Sequence, residues 1–500
     1  MKTLKMVNLG FAFAVCAAFN TQAIGAQENT SDSSSGTSEP AALNQLTLES
    51  CHLRGLSEQV ECGYLEVPEN HDTPNGTTID LHIVRMPAVS SGAASDPLFF
   101  LAGGPGQAAT ELAPIIDRVF QDVRQRRDII LVDQRGTGKS GALQCEISAL
   151  DELLVPDDQI DLRGAMARCA EKFDVDLQQY STVNAIRDFE MVRTALGYQQ
   201  INLYGGSYGT RAALVWMREA PTALRSVVLD GVAPTQVVVG PFGTYSQRAF
   251  DLMVSDCNRS EACVERFGAI DEKYYALRER LLAEPEQVVM QDPRSDETRE
   301  VLMTAKRLAG ILRNALYSPR SRQLIPIVVS EADAGNWRPL AGLIGAFDAE
   351  SPIYTGLLVS VLCQEDMPRA DAELLARDGD NRFIGSSVGD DFVEMCSGWP
   401  VAPLPDNSHA EPVVSDIPAL LLSGEQDPVT PPEWAEIAAE TLSNSQHLVA
   451  EFGGHTIMSH TCANRLIAQF LDEPSATIDA SCLERTRMLP FLRNVNAAGM

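Results

Sequence analysis

A chain of 500 residues, 45% of them hydrophobic, is long enough to bury a large core, which excludes a disordered or fibrous protein. Its formal net charge of -29 makes a surface that repels phosphate backbones and anionic membranes, so no nucleic-acid partner is expected.

Residues 1–26 read as a secretory signal peptide, with Lys2 and Lys5 ahead of the apolar run LGFAFAVCAAF and the small residues Ala23, Gly25 and Ala26 behind it. That run is too short to span a bilayer, and no other stretch approaches the needed length. A soluble protein exported to the periplasm or beyond is therefore expected, without stable membrane insertion. A lipoprotein would use Cys16, but Val15 stands where a small residue is wanted. Residues 27–42 carry almost no bulky apolar groups to offset ordering entropy and read as a disordered leader.

Ten cysteines remain outside the signal, and an even number in an exported chain points to disulfides. Pairing neighbours in sequence joins Cys51 with Cys62, Cys145 with Cys169, Cys257 with Cys263, Cys363 with Cys396 and Cys462 with Cys482. No CxxC or HExxH pattern occurs, so no metal site is read.

The segment 77–87 alternates Ile79, Leu81 and Ile83 with polar groups, as an outer antiparallel strand does. The stretches 97–106 and 128–138 are continuous apolar runs ending in glycine-rich turns, the pattern of strands covered on both faces. A helix is expected over 181–198 with Gly197 as its stop, then a strand over 201–207, a helix, and a buried strand over 224–231. The rhythm breaks from Val232 to Pro412, where helical patterns dominate, and returns as strand, turn and helix over 417–442 and a strand in 447–455. The expected architecture is α/β, a doubly wound and mostly parallel sheet. Its core covers 43–232 and 412–500 and is interrupted by a helical cap insertion, 233–411.

Gly205-Gly206-Ser207-Tyr208-Gly209 fits G-x-S-x-G between a strand and a helix. Such a turn lifts the serine hydroxyl clear of the sheet, and the backbone N–H of Tyr208 can face a developing oxyanion. A serine needs a base and an acid to orient it, in the order Ser, acid, His for this kind of sheet. Asp427, past the strand in LLLSGEQDPVTP, and His455, in EFGGHT, supply them. Thr430-Pro431-Pro432-Glu433 reads as a helix start, with Thr430 the N-cap and Glu433 closing a capping box. Asp230 competes with Asp427 for the acid, and His460, placed in the following helix, competes with His455. The second oxyanion donor is expected from AGGPG, Gly104 N–H before Gly103. DQRGTGKS is not a P-loop, since Asp133 stands where the first glycine belongs.

The blocks AGGPG, DQRGTGKSG, TVNAIRDFEMVRTALG, INLYGGSYGTRAALVW, VVLDG, SGEQDPVTP and GGHT resemble the prolyl aminopeptidase and tripeptidyl aminopeptidase family of α/β-hydrolase serine peptidases. The likeness runs over about 45–232 and 412–482 and is nearer to the tripeptidyl branch. It implies an α/β-hydrolase fold and an exopeptidase that needs no cofactor and takes residues from a peptide with a free N-terminus through an acyl-enzyme. Ser207 would be the nucleophile, Asp427 the acid, His455 the base, and Tyr208 with the AGGPG glycines the oxyanion hole. The chain has Ala102 where the family commonly has the histidine of HGGPG. Glu365, in Cys363-Gln364-Glu365-Asp366, resembles a Cys-x-acid feature of the tripeptidyl branch and is the candidate clamp for the substrate amine. A carboxylic-ester hydrolase with the same triad, or a catalytically silent binding protein, are the alternatives.

Overall fold

The computed structural model describes residues 46–145, 154–291, 298–347 and 353–494; the signal peptide and the leader lie outside them. In chain order the strands are β1 (Glu49–Cys51), β2 (Val60–Pro68), β3 (Thr78–Met86), β4 (Leu98–Leu101), β5 (Ile129–Val132), β6 (Ile201–Gly206), β7 (Leu224–Asp230), β8 (Glu286–Gln291), β9 (Thr298–Met303), β10 (Ala419–Gly424) and β11 (Ser445–Ala450). Nine of them form one sheet in the order β1-β2-β3-β5-β4-β6-β7-β10-β11. The pairs from β1 to β5 are antiparallel, and those from β5 onward through β4 to β11 are parallel.

The continuous apolar runs are explained by burial on both sides. Phe99, Leu101, Leu203, Val227, Leu229 and Leu421 join one core cluster with Ile186, Phe189 and Val192 of the helix Thr182–Ala195 and with Trp216 of the helix Tyr208–Glu219. Their neighbours Leu98, Phe100, Tyr204, Val228, Leu420 and Leu422 join the opposite cluster with Phe120, Leu466 and Phe470. Successive strand side chains point to opposite faces, so apolar groups run almost continuously along these strands, with Asn202, Ser226 and Asp230 among the buried polar exceptions.

The segment read as an outer strand is interior. β3 lies between β2 and β5, antiparallel to both, and Leu81 to Val84 are fully buried. The half-polar alternation reflects only its first residues; β1 and β2, which the sequence reading did not identify, cover the rest.

Between β7 and β10 the helices Gly243–Arg259, Glu261–Phe267, Ile270–Ala283 and Ala305–Leu316 build a separate cluster around Phe250, Tyr274 and Leu308. This stretch is not purely helical. β8 and β9 pair antiparallel, turning Val288, Met290, Val301 and Met303 into the helical cluster while Val289 is exposed. Leu357, Val359 and Val361, on the helix Thr355–Glu365, instead join the cluster under the main sheet, together with Trp399. A buried ion pair, Arg211 Nη1 to both oxygens of Asp366 at 2.7 and 2.8 Å, fastens that helix to the one that begins at Tyr208.

All five sequence-neighbour cysteine pairs form disulfides, with Cα–Cα separations from 5.3 to 6.4 Å. Five cross-links fit an oxidising compartment and hence an exported protein. Among the described residues no helix is long and apolar enough to cross a membrane.

Candidate active site

The parallel strands deliver the AGGPG loop, Ser207, Asp427 and His455 to their carboxyl ends, where crevices form in open α/β sheets. Ser207 follows β6 directly, with φ 56° and ψ -123°, and the helix Tyr208–Glu219 begins at the next residue. Such a backbone conformation is costly for a residue with a side chain and persists only when its surroundings hold it. Here the two flanking glycines are obligatory. A Cβ on Gly205 would stand 2.3 Å from the carbonyl oxygen of Gly209, and one on Gly209 would stand 2.2 Å from that of Leu101 at the end of β4. The Ser207 N–H donates to the carbonyl of Asp230 at 2.9 Å, tying the turn to β7.

Asp427 is fully buried past the end of β10, and its carboxylate is fixed by four contacts. Oδ1 accepts from the N–H groups of Val429 and Thr430 at 2.8 and 2.9 Å; Oδ2 accepts from Thr430 Oγ1 at 2.7 Å and from His455 Nδ1 at 2.8 Å. The Thr430 hydroxyl oxygen also stands 3.1 Å from His455 Nδ1. Thr430 is therefore not an N-cap. The helix Pro432–Ala439 starts two residues later, with Pro431 in the cap position and no side-chain cap bond, and Glu433 faces Arg248 at 3.4 Å. The carboxylate drew the threonine away from the helix end, since a buried anion needs its donors more than a helix needs a cap.

His455 follows β11. With Nδ1 engaged by Asp427, its other ring nitrogen can accept a proton, and both His455 and Ser207 line one cavity of about 2210 Å³. The loop that carries it is held by Asp230, the rival acid. Asp230 accepts from the N–H of Ile457 at 2.7 Å, from that of Met458 at 2.8 Å and from the Tyr204 hydroxyl at 2.7 Å. Its hydrogen bonds come from the loop backbone and from Tyr204, and none from the imidazole. Burial, opposed by these bonds, pushes its carboxyl up to about 6.

His460 lies in the turn before the helix Ala463–Asp472 rather than inside it, and burial, with Arg322 adding, lowers its pKa. It lines the same cavity, but the hydrogen bond to the buried acid belongs to His455.

The AGGPG loop packs against Ser207; a Cβ on Gly103 would stand 3.1 Å from Ser207 Cβ. The Gly103 N–H donates to Gln107 Oε1 at 3.2 Å, a partner that the sequence reading missed. The Gly104 N–H has no acceptor among the described residues, and the Tyr208 N–H opens a helix, where no intrahelical acceptor exists. Ala102 is partly buried against the cluster of Phe100 and Tyr204.

DQRGTGKS is a structural turn. Asp133 is fully buried and accepts from Thr110 N and Oγ1, Lys139 N and His82 Nδ1, while Arg135 makes a buried two-point contact with Asp188 at 2.6 and 2.7 Å.

Glu365 is not where an amine clamp must be. It is buried at the foot of the helix Thr182–Ala195, where its two oxygens accept from Thr182 N at 2.7 Å and Thr182 Oγ1 at 2.8 Å. Thr182 Oγ1 is in turn 2.8 Å from the Tyr208 hydroxyl, and Glu365 is absent from the cavity wall. Burial raises its pKa. Its acidic spacing after Cys363 serves packing behind the site.

Residues 96–459 match the family model described as alpha/beta hydrolase fold. Over 451 residues the chain is 26% identical to the serine protease Hip1 of Mycobacterium tuberculosis, covering 82% of this chain and 84% of that protein. It is 29% identical over 434 residues to carboxylesterase B of the same organism, covering 78% and 81%. A shorter match, 29% over 195 residues covering 35% and 36%, is to the tripeptidyl aminopeptidase of Streptomyces lividans. The likeness to serine peptidases read from the motifs is thus borne out, alongside an esterase relative. The chain belongs to the α/β-hydrolase fold family and is a serine hydrolase within it.

Proposed function

We propose that the protein is an exported serine exopeptidase that removes N-terminal residues from peptides with a free amine. The observation that carries the chemistry is the buried Asp427–His455 hydrogen bond at 2.8 Å, on the wall of the cavity that also holds Ser207. His455 takes the proton from the Ser207 hydroxyl as it attacks the acyl carbon, and Asp427 stabilises the imidazolium. The N–H groups of Tyr208 and Gly104 receive the oxyanion, with Gly103 already engaged by Gln107. His455 then protonates the leaving amine, and water, deprotonated by the same imidazole, releases the acyl group.

The cavity volume of about 2210 Å³ exceeds the ~300–1,000 Å³ of ordinary small-molecule pockets and supports a substrate several residues long. With Glu365 turned away, Glu111 is the carboxylate on the cavity wall among the described residues; the Tyr354 hydroxyl donates to it at 2.7 Å. Glu111 replaces Glu365 as the partner for the ammonium group. The signal peptide of residues 1–26 directs export, in keeping with the five disulfides.

The likeness to carboxylesterase B favours a second reading, hydrolysis of esters by the same residues. Aminoacyl, dipeptidyl and tripeptidyl chromogenic amides, each with free and acetylated N-termini, separate the two. An aminopeptidase loses most of its activity on the acetylated members. Equal hydrolysis of both sets, or turnover of simple esters alone, replaces the peptidase with the esterase.

A further inference from the structure

The cavity around Ser207 has a charge opposite to that of the whole chain. Acidic residues outnumber basic ones 68 to 39 overall, yet among the described residues five arginines line the cavity, Arg118, Arg313, Arg320, Arg485 and Arg487, against one carboxylate, Glu111. Among the described residues none of the five makes an ion pair with a carboxylate, although most arginines elsewhere in the fold do. Four of them are exposed at the cavity wall; Arg313 is half-buried.

Arg313 is also the one held in place. Its Nε donates to Ser246 Oγ at 3.1 Å and its Nη2 to the Tyr317 hydroxyl at 3.2 Å. Its guanidinium lies over the rings of Phe242 and Tyr317, at 5.1 and 5.5 Å from their centroids. The Tyr317 ring in turn meets the His455 imidazole edge-on at 5.1 Å. One aromatic ring therefore separates this cation from the catalytic base. Nη1 has no protein acceptor among the described residues, so a planar, pre-oriented donor edge is left for something else. Stacking over the two rings holds the guanidinium in one orientation, and with no carboxylate beside it its free edge can pair with an anion supplied by a ligand.

We propose that Arg313 is a specificity-determining residue that binds a carboxylate of the substrate, so that the enzyme selects acidic substrates from those sharing the same scissile bond. The four exposed arginines draw the anion in through a negative surface, by focusing the field in the cleft. The proposal rests on the serine-hydrolase reading of the site, but not on whether the bond cleaved is an amide or an ester.

The test uses the mature full-length protein and matched substrate pairs that differ in charge alone. One set is tripeptidyl chromogenic amides with Glu or Gln at each position in turn. The other is the 4-nitrophenyl hemiester of glutaric acid against its methyl ester. The ratio of kcat/KM for the acidic over the neutral member is read, together with the rate of labelling by a neutral fluorophosphonate. The wild-type ratio should be roughly tenfold to a hundredfold at one position, carried mainly by KM, and should fall with added salt. Arg313→Gln should bring it close to one, with Arg313→Lys in between, while labelling persists. A wild-type ratio of one or below overturns the proposal, as does an Arg313→Gln variant that labels normally and keeps the ratio. Should that variant fail to fold, Arg320→Gln and Arg118→Gln decide, because unaltered ratios and salt dependence in both overturn the proposal too. Charge preference on the esters without amide turnover would sink the peptidase reading and leave this one standing. Amide turnover indifferent to charge does the reverse.

Discussion

The backbone N–H of His455 donates to the carbonyl oxygen of Tyr317 at 2.7 Å, and the rings of the two residues meet edge-on at 5.1 Å. Tyr317 closes the helix Ala305–Leu316, so the inserted region buttresses the loop that carries His455. The same approach leaves no room beside it: a Cβ on Gly454 would stand 2.2 Å from that carbonyl oxygen.

Gly454→Ala should therefore push the two segments apart. The expected cost is about 1–3 kcal/mol of stability, as for other overpacked sites, with kcat falling more than KM rises. Thermal unfolding and steady-state kinetics check it; a variant with unchanged melting temperature and kcat would show that the contact is slack.

Ser207→Ala should lower kcat by about four to six orders of magnitude and abolish fluorophosphonate labelling. Its melting temperature should stay close to that of the wild type, because alanine keeps the Cβ and with it the backbone conformation at φ 56°, and loses only the hydroxyl. Substantial turnover of the same substrate by the variant would remove Ser207 as the nucleophile.

Thr430→Val keeps the shape of the side chain and deletes the hydroxyl that donates to Asp427 Oδ2 at 2.7 Å. A buried carboxylate losing one of its donors holds the imidazole less well, and kcat should drop by roughly tenfold with KM little changed. Equal kcat in the two proteins would return Thr430 to a purely structural role.

Asp230 gives a pH dependence whose sign follows from its raised pKa. The folded protein holds its proton up to about pH 6, whereas the unfolded chain releases it near 3.8. Its contribution is complete below pH 3.8 and is lost as pH rises to about 6, a change of ~3 kcal/mol. Asp230→Asn cannot titrate and should remove that descending limb. Its amide must also turn an NH2 toward Tyr204 or toward the N–H groups of Ile457 and Met458, which should loosen the His455 loop and reduce kcat. Melting curves of both proteins between pH 4 and pH 7 provide the comparison; an unchanged difference across that range would assign the limb to other groups.

Much of the site was legible because its grammar is local. Gly205 meets the backbone of Gly209 across Ser207 within a few residues of chain, and a buried parallel strand announces itself through the apolar residues that both faces require. Asp427 could be picked because it follows such a strand, His455 because its glycine-rich loop follows the edge strand β11, and the cysteine pairs because they are neighbours in sequence. Local patterns went astray where a distant partner outweighed them. Thr430 looked like a cap until a buried carboxylate engaged its hydroxyl, and β3 looked like an edge until β2 covered it. Glu365 kept its place in the sequence and lost its role, because which way a buried side chain faces depends on what packs against it. Only the tertiary structure could bring Arg313 to within one ring of His455 and collect arginines from four separate segments around Ser207. The turn at Ser207, the placing of Asp427 and His455 past the ends of strands, and the parallel sheet that carries all three were legible in the sequence alone, through short-range sterics and the periodicity of burial. The charge of the cavity and the surroundings of each buried acid were decided by long-range packing, which no window of neighbouring residues records.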